Sequence, residues 1–215
     1  MNDQPRFLSS AVEVFPNVQI DPSCVIGHGS VLGIPSIDNG FVSGGSRTVI
    51  GPECLVGCFC VIESGAYLGA RVKVDHYVRV GPGTTIGNDT LLLYGTRIHC
   101  DVRIGARCRI SGNCPDRTII EDDVTHFGRL HHDYSAPQEE WDQNEEPSAH
   151  IGRRSVIGAG AILVGGIRIG QDCYIAAGEI VRNSVPDRCV VYKGKVISGA
   201  DWRGRLASTG FFERG

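Results

Sequence analysis

The chain has 215 residues, enough for one domain with a real core, and its 21 basic and 24 acidic residues leave a formal charge of -3. That near balance argues against nucleic acid or an anionic membrane as the main partner. No run is apolar for long enough to span a bilayer, and Met1 to Glu13 carries charges and prolines where a secretory leader has an apolar centre, so the expected location is the cytoplasm.

Residues 1–17 show no repeat and are read as a cap over the open end of a repetitive coil, where unpaired strand edges need cover. Hexads begin at Ile20, Ile26 and Leu32. From Ile50 every sixth residue is aliphatic: Val56, Ile62, Leu68, Val74, Val80, Ile86, Leu92, Ile98, Ile104, Ile110. Four places after each aliphatic stands a small or β-branched residue, such as Cys54, Ala66, Thr84 or Cys108, and glycine often follows the aliphatic directly, as at Gly51 and Gly81. A strict period of six fits neither an amphipathic helix nor an alternating strand. It is the pattern of a hexapeptide β-helix, in which short strands coil and the aliphatics stack inside. The expected fold is therefore all-β, a single coil of parallel rungs.

Eighteen residues separate Leu32 from Ile50, so phase survives across 38–49. That segment is two degenerate rungs or an excursion, and its Gly44-Gly45-Ser46 favours the excursion. After Ile110 the phase slips by four through Asn113-Cys114-Pro115-Asp116, resumes at Ile120, and yields one weak hexad from His126. Coils thus occupy 20–131. Residues 132–150, rich in Glu, Asp, Gln and Pro, form the one long loop, and coils return over 151–186 at Ile151, Ile157, Leu163, Ile169, Ile175 and Val181. The tail, 187–215, reads as a short helical cap anchored by Trp202, Phe211 and Phe212. A loop this long inside a compact coil is more often functional than accidental.

Six of the nine cysteines (Cys24, Cys54, Cys60, Cys108, Cys114, Cys173) fall on the small interior position, where a thiol packs as a compact apolar group; Cys58, Cys100 and Cys189 lie off it. No C-x-x-C pair suggests a metal. Five of the seven histidines lie between His99 and His150, most densely in V-T-H-F-G-R-L-H-H-D-Y, Val124 to Tyr134, where the coil opens into the loop. Histidine suits a general base near neutral pH.

The repeats, with the stretch Ser155 to Val181, resemble the C-terminal coils of the hexapeptide-repeat acyltransferases, similar to the maltose, galactoside and xenobiotic acetyltransferases. The resemblance covers Ile20 to Val196 and implies a left-handed parallel β-helix, a hand opposite to that of ordinary parallel crossovers. It implies a homotrimer with active sites between neighbouring coils, and acetyl-CoA or another acyl-CoA as co-substrate, with no resident metal. The galactoside-type motif runs V-T, five residues, histidine; here Val124-Thr125 is followed by H-F-G-R-L and His131. It therefore assigns the base to His131, with His132 and His126 as neighbours in the same cluster. Along the corners of the last coils, Ala159, Gly160 and Ala177 match the small residues beside the pantetheine arm, and Arg182 a polar residue near its end. The usual G-x-P-A after the last coil is missing, and Lys193 and Lys195 stand in its place. Asp133, Tyr134 and Trp141 are the candidate contacts to a small polar acceptor such as an aminosugar or another amine, since flat aromatic faces suit sugar rings and cations.

Two rivals remain. A γ-class carbonic anhydrase, also a left-handed β-helix, binds its metal through three histidines, and His126 and His131 have its H-x-x-x-x-H spacing with His99 about two coils earlier. The pair sits two places out of phase with that family's hexads. A non-catalytic assembly subunit would show the same coil but has no need of clustered histidines beside a long loop.

Overall fold

The computed structural model describes residues 7–37, 46–133 and 147–213. Strands of two to four residues lie on three faces of a prism. The first face runs from Phe7–Leu8 through Lys73–Val74 and Thr125–His126 to Tyr174–Ile175 and Cys189–Tyr192. The second begins at Glu13–Val14, passes Arg79–Val80 and Arg97–Ile98, and stops at Asn113–Cys114; a separate sheet of Arg129–His131, Ile162–Val164 and Ile180–Val181 continues it. The third runs from Val18–Ile20 through Thr85–Ile86 to Arg168–Ile169. Pairing is parallel, with Val74 over Leu92, Val80 over Ile98 and Ile86 over Ile104. Residues three hexads apart are thus stacked on one face.

Each two-residue strand sends its first side chain out and its second in. Inside, Ile62, Leu68, Ile86, Leu92 and Ile98 are fully buried, and each contributes about 1.5–3 kcal/mol by leaving water. The small interior position does more than save space. The Thr84 hydroxyl donates to the His99 carbonyl (2.8 Å) and accepts from the Val102 amide (3.2 Å), and Thr90 and Ser155 splice neighbouring coils in the same way. Cys54 and Cys60 donate their thiols to such carbonyls at 3.0 Å. Burial pushes Cys108 and Cys173 up to about 11 and Cys114 up to about 12, so these thiols stay protonated. Cys114 itself stands on the aliphatic ladder, under Ile98, rather than at the small position expected.

One edge of the prism, between the third and first faces, carries charges of alternating sign. Arg71, Asp89, Arg107, Asp123, Arg154 and Asp172 occupy equivalent turn positions with φ between 54° and 62°. Arg71 grips Asp89 at 2.6 and 2.8 Å, Arg107 grips Asp123 at 2.6 and 2.8 Å, and Arg154 holds the buried Asp172 with two bonds of 2.7 Å. A hydrogen bond from the arginine holds Asp89 and Asp123 below the usual carboxylate range. A slip of one coil would set like charges together, so the edge helps specify register.

Three sequence expectations change, and the choice left open over 38–49 closes. Residues 7–17 are no cap but the first coil: Leu8, Val14 and Ile20 keep the six-residue spacing, and Phe7–Leu8 and Glu13–Val14 pair with the next rung. Thr48–Ile50 pairs directly with Val18–Ile20, so no rung intervenes after Leu32 and the intervening segment is an excursion; 38–45 lies outside the described residues. Pro186 does not end the coil, because Val185 bridges Ile169 and Cys189–Tyr192 adds a further strand. The tail then closes with an antiparallel hairpin to Lys195–Ser198 and two 3-10 turns, Ala207–Thr209 and Phe211–Glu213, in place of a helix. Among the described residues no helix is long and apolar enough to cross a membrane.

His126 keeps the hexad position read from the sequence, which removes it from the candidate bases. It pairs with Ile110 above and Ile157 below, inside the ladder, with no exposed surface and neither ring nitrogen bonded. Burial holds its pKa down, at about 4. The imidazole is therefore neutral in the folded chain and ordinary, near 6.5, in the unfolded one. Folding then loses stability as pH falls from about 6.5 through about 4, by roughly 3 kcal/mol in all. His126→Leu is expected to raise the melting temperature at pH 7 by a few degrees and to flatten the loss between pH 6.5 and 4, measured by thermal melts across pH; an unchanged acid limb with lower stability at pH 7 would contradict this placement.

Candidate functional site

Both excursions leave from the edge between the second and third faces. At the larger one, Arg129–His131 pairs with Ile162–Val164, which puts Leu130 inside and His131 outside at the strand's end, over Val164. His131 and Asp133 are exposed and His132 is half-buried. Asp133 lies against Gly165, where an added Cβ would stand 3.2 Å from its own Cβ. The returning limb is held too. Pro147 packs on Gly166 so closely that no side chain fits there, and the Ser148 hydroxyl donates to the Asp116 carbonyl.

His150, first residue back on the coil, is fully committed. Its Nε2 lies 2.8 Å from Glu121 Oε1 and its Nδ1 lies 3.1 Å from Arg168 Nη1. A guanidinium only donates, so Nδ1 accepts and Nε2 carries the proton offered to Glu121. Burial raises the Glu121 pKa, but the His150 and Arg153 hydrogen bonds outweigh it and leave the carboxyl lowered. With both nitrogens spoken for, His150 clamps the loop's return and has no lone pair to offer a substrate.

Ala159, Gly160 and Ala177 stand on the other edge of this same face. The two turns stack, with the Gly178 amide donating to the Ala159 carbonyl at 3.1 Å. Ala159, Gly160, Ala177 and Gly178 are exposed, and a Cβ on Gly160 or Gly178 would meet nothing within 4 Å. Phe127 (39% exposed) heads this row, and Lys193 and Gly194 close it with amides held at 2.6 and 3.0 Å by the Glu179 carboxylate. The result is an open shelf of small residues. Arg182 follows Val181, which pairs with Leu163, so it stands two rungs below His131, roughly 10 Å along the axis. Lys193 lies over the Tyr192 ring at 5.3 Å in the hairpin that also carries Lys195.

The predicted residues thus fall into two groups. His131, His132, Asp133 and Arg182 share one edge; Ala159, Gly160 and Ala177 share the other, a strand's width away, on the order of 10–15 Å. His126 is corrected from the candidate bases, because the core surrounds it. Tyr134 and Trp141 lie outside the described residues. The three-histidine metal arrangement is not assembled: His126 points inward, His131 outward, and His99 Nε2 is bonded to Asn113 Oδ1 at 2.9 Å. Among the described residues no group of three or more His, Cys, Asp or Glu converges on a metal position. A cavity of about 460 Å³ between the last coil and the cap, lined by Arg188, Trp202 and Phe212, contains no histidine. Sequence reading missed the Glu121–His150–Arg168 clamp, for which the outward position before each inner aliphatic (His150-Ile151, Arg168-Ile169) was the available signal.

No family model matches the chain, and no curated protein does. Solved structures do. LpxA from Acinetobacter baumannii is 14% identical over 88% of this chain and 72% of its own, with a TM-score of 0.70. The coil is therefore the left-handed parallel β-helix of that protein. Weaker likenesses are LpxA of Moraxella catarrhalis, a UDP-N-acetylglucosamine O-acyltransferase (14% identity, 97% of this chain and 76% of that one, TM-score 0.43), and the GDP-perosamine N-acetyltransferase of Caulobacter crescentus, solved with CoA and GDP-perosamine (21% identity, 65% and 53%, TM-score 0.41). This chain spans about half the length of the last.

The clamp gives a direct test. Imidazole nitrogen spectra of the labelled chain at neutral pH are expected to show His150 as a single Nε2–H tautomer, and Glu121→Gln to speed amide exchange at His150 and Ile151. A His150 signal averaged between tautomers, as for a solvated ring, would mean the clamp is not formed.

Proposed function

We propose that this chain is an acyl-CoA-dependent acyltransferase, with acetyl-CoA the first donor to test, that acylates a nitrogen or oxygen of a small polar acceptor such as an aminosugar. The observation that carries the reading is the pairing of an exposed imidazole at the loop mouth, His131, with a bare shelf of small residues on the coils that come after it. The fold shared with LpxA supports it, since the Moraxella protein of that name is an O-acyltransferase.

In this reading pantetheine lies along Ala159, Gly160 and Ala177, where a side chain would exclude it. His131 takes the proton from the acceptor amine or hydroxyl as that atom attacks the thioester carbonyl. Backbone N–H groups stabilise the tetrahedral oxyanion. Its collapse forms the new amide or ester, breaks the C–S bond, and lets the imidazolium return the proton to the departing thiolate. The step needs no acylated cysteine, and Cys108, Cys114 and Cys173 point inward with thiols that burial keeps protonated.

The separation of shelf and imidazole within one chain bears on assembly. A pantetheine arm on one edge does not come within bonding distance of a base on the other edge of the same face. We infer that the shelf of one subunit faces the loop mouth of the next, as in a trimer with sites between coils. The half-exposed Phe127 and the exposed Ile180, beside and between the two edges, then lie in that interface.

Thiol release from acetyl-CoA and longer acyl-CoAs, with a panel of amines and aminosugars, tests the reaction. His131→Ala is expected to lower kcat by about 10²–10⁴ with little change in KM for acyl-CoA, while His132→Ala costs less. Ala177→Phe should raise KM for acyl-CoA at least tenfold in a chain that melts normally. Full activity in His131→Ala would remove the base assignment.

A further inference from the structure

The charged edge ends on an arginine with nothing to hold. Tyr174 pairs with Val190, so Arg188 stands below Asp172 and shares its left-handed backbone, with φ 55°. Asp172 is wholly buried and already gripped twice by Arg154. The arginines above it on this edge each hold an acid, whereas nothing among the described residues bonds the Arg188 guanidinium.

Arg188 lines instead the cavity of about 460 Å³ between the last coil and the C-terminal cap. A space of that size suits an organic molecule rather than a bare ion. Two of its walls are rings. A Cβ on Gly199 would strike the Phe212 ring and one on Gly204 the Trp202 ring, so the two glycines are what let the rings lie where they do. The Trp202 Nε1 is spent on the Arg205 carbonyl at 2.7 Å, which leaves both rings to offer apolar surface.

The remaining walls carry charge. Arg203 Nη1 donates to the Ala200 and Trp202 carbonyls at 2.6 and 3.1 Å, and its other N–H groups are unbonded among the described residues. Asp187 is turned back onto the coil, where its Oδ1 accepts from the Gln171 amide at 3.1 Å. The Glu213 carboxylate, also in the lining, is bonded to nothing among the described residues. The unspent groups are thus two guanidiniums, one carboxylate and two rings.

Each of them narrows the occupant. A bare phosphate leaves the rings unused, and a simple aromatic acid leaves Glu213 facing another negative charge. A flat ring edged with N–H donors answers the rings and the carboxylate together, and a phosphate on the same molecule answers the arginines. We propose that the cap cavity binds a free purine nucleotide, its base stacked on Trp202 and Phe212 and its phosphate held by Arg188 and Arg203. The site is separate from the donor shelf: Arg188 precedes the strand Cys189–Tyr192 on the charged edge, and Lys193 follows it on the shelf edge. It does not depend on the transferase reading.

Trp202 supplies the readout. The chain has two tryptophans, so Trp141→Phe leaves Trp202 as the only indole. Titration of that protein with AMP and with GMP is expected to quench its fluorescence saturably, and calorimetry on the unaltered chain to show binding of both. Inorganic phosphate should bind at least tenfold more weakly. Arg188→Gln, at an exposed position, should weaken both nucleotides by tenfold or more at an unchanged melting temperature. Arg103→Gln, on the third face, should leave them unchanged. Saturating CoA should not alter the AMP affinity. If neither nucleotide binds, or Arg188→Gln binds them as the unaltered chain does, the inference is wrong. Phosphate binding as tightly as AMP would reduce the cavity to a plain anion site, and competitive displacement of AMP by CoA would make it the donor's own; either result also overturns the proposal.

Discussion

Vertical stacking governs this molecule. Every coil must place an inner side chain over the one beneath it on three faces at once, and neighbouring strands bond backbone to backbone along two faces throughout and along the third on either side of the break after Cys114. The ladder tolerates little: a thiol at Cys114, a neutral imidazole at His126, otherwise aliphatics in the described column. Variation is therefore pushed to the outward positions and the edges. Charge pairs occupy one edge, small residues a second, and both excursions the third. Chemistry appears where stacking leaves freedom.

That division explains what could be read from the sequence. The period of six is written in the inner residues, because burial admits few substitutes there, and it carried the fold class, the loop and the coils on either side. It even extended further than first apparent, through Leu8 and Val14. What it did not carry is the face on which a residue lands. The two short turns at Gly112 and Gly128 shift every later outward residue relative to a simple count, which is how Arg129 comes to continue the column of Arg97. His126 illustrates the same limit. Its residue type suggested a base, while its hexad position, the stronger physical constraint, put it in the core.

The site is legible to a similar degree. His131 projects outward at the loop mouth and the Ala159–Ala177 turns are bare. Their separation across a face was hidden, since spacing along a chain does not say which edge a turn occupies. The His150 clamp was hidden for another reason: Glu121 lies 29 residues earlier, and only the coil brings the pair together. In the proposed reading, these distances make the single chain half of a site, with the acceptor's base on one edge and the donor shelf on the other.

The central claim is that one imidazole at the loop mouth meets a thioester laid along the small-residue shelf of a neighbouring subunit. A crystal structure of the chain with a non-transferable acyl-CoA analogue tests it most directly. The account predicts pantetheine against Ala159, Gly160 and Ala177 of one subunit, with its sulfur within a few ångströms of His131 from the next. Pantetheine along the charged edge, or a shelf turned to solvent with His131 far from any sulfur, would contradict it.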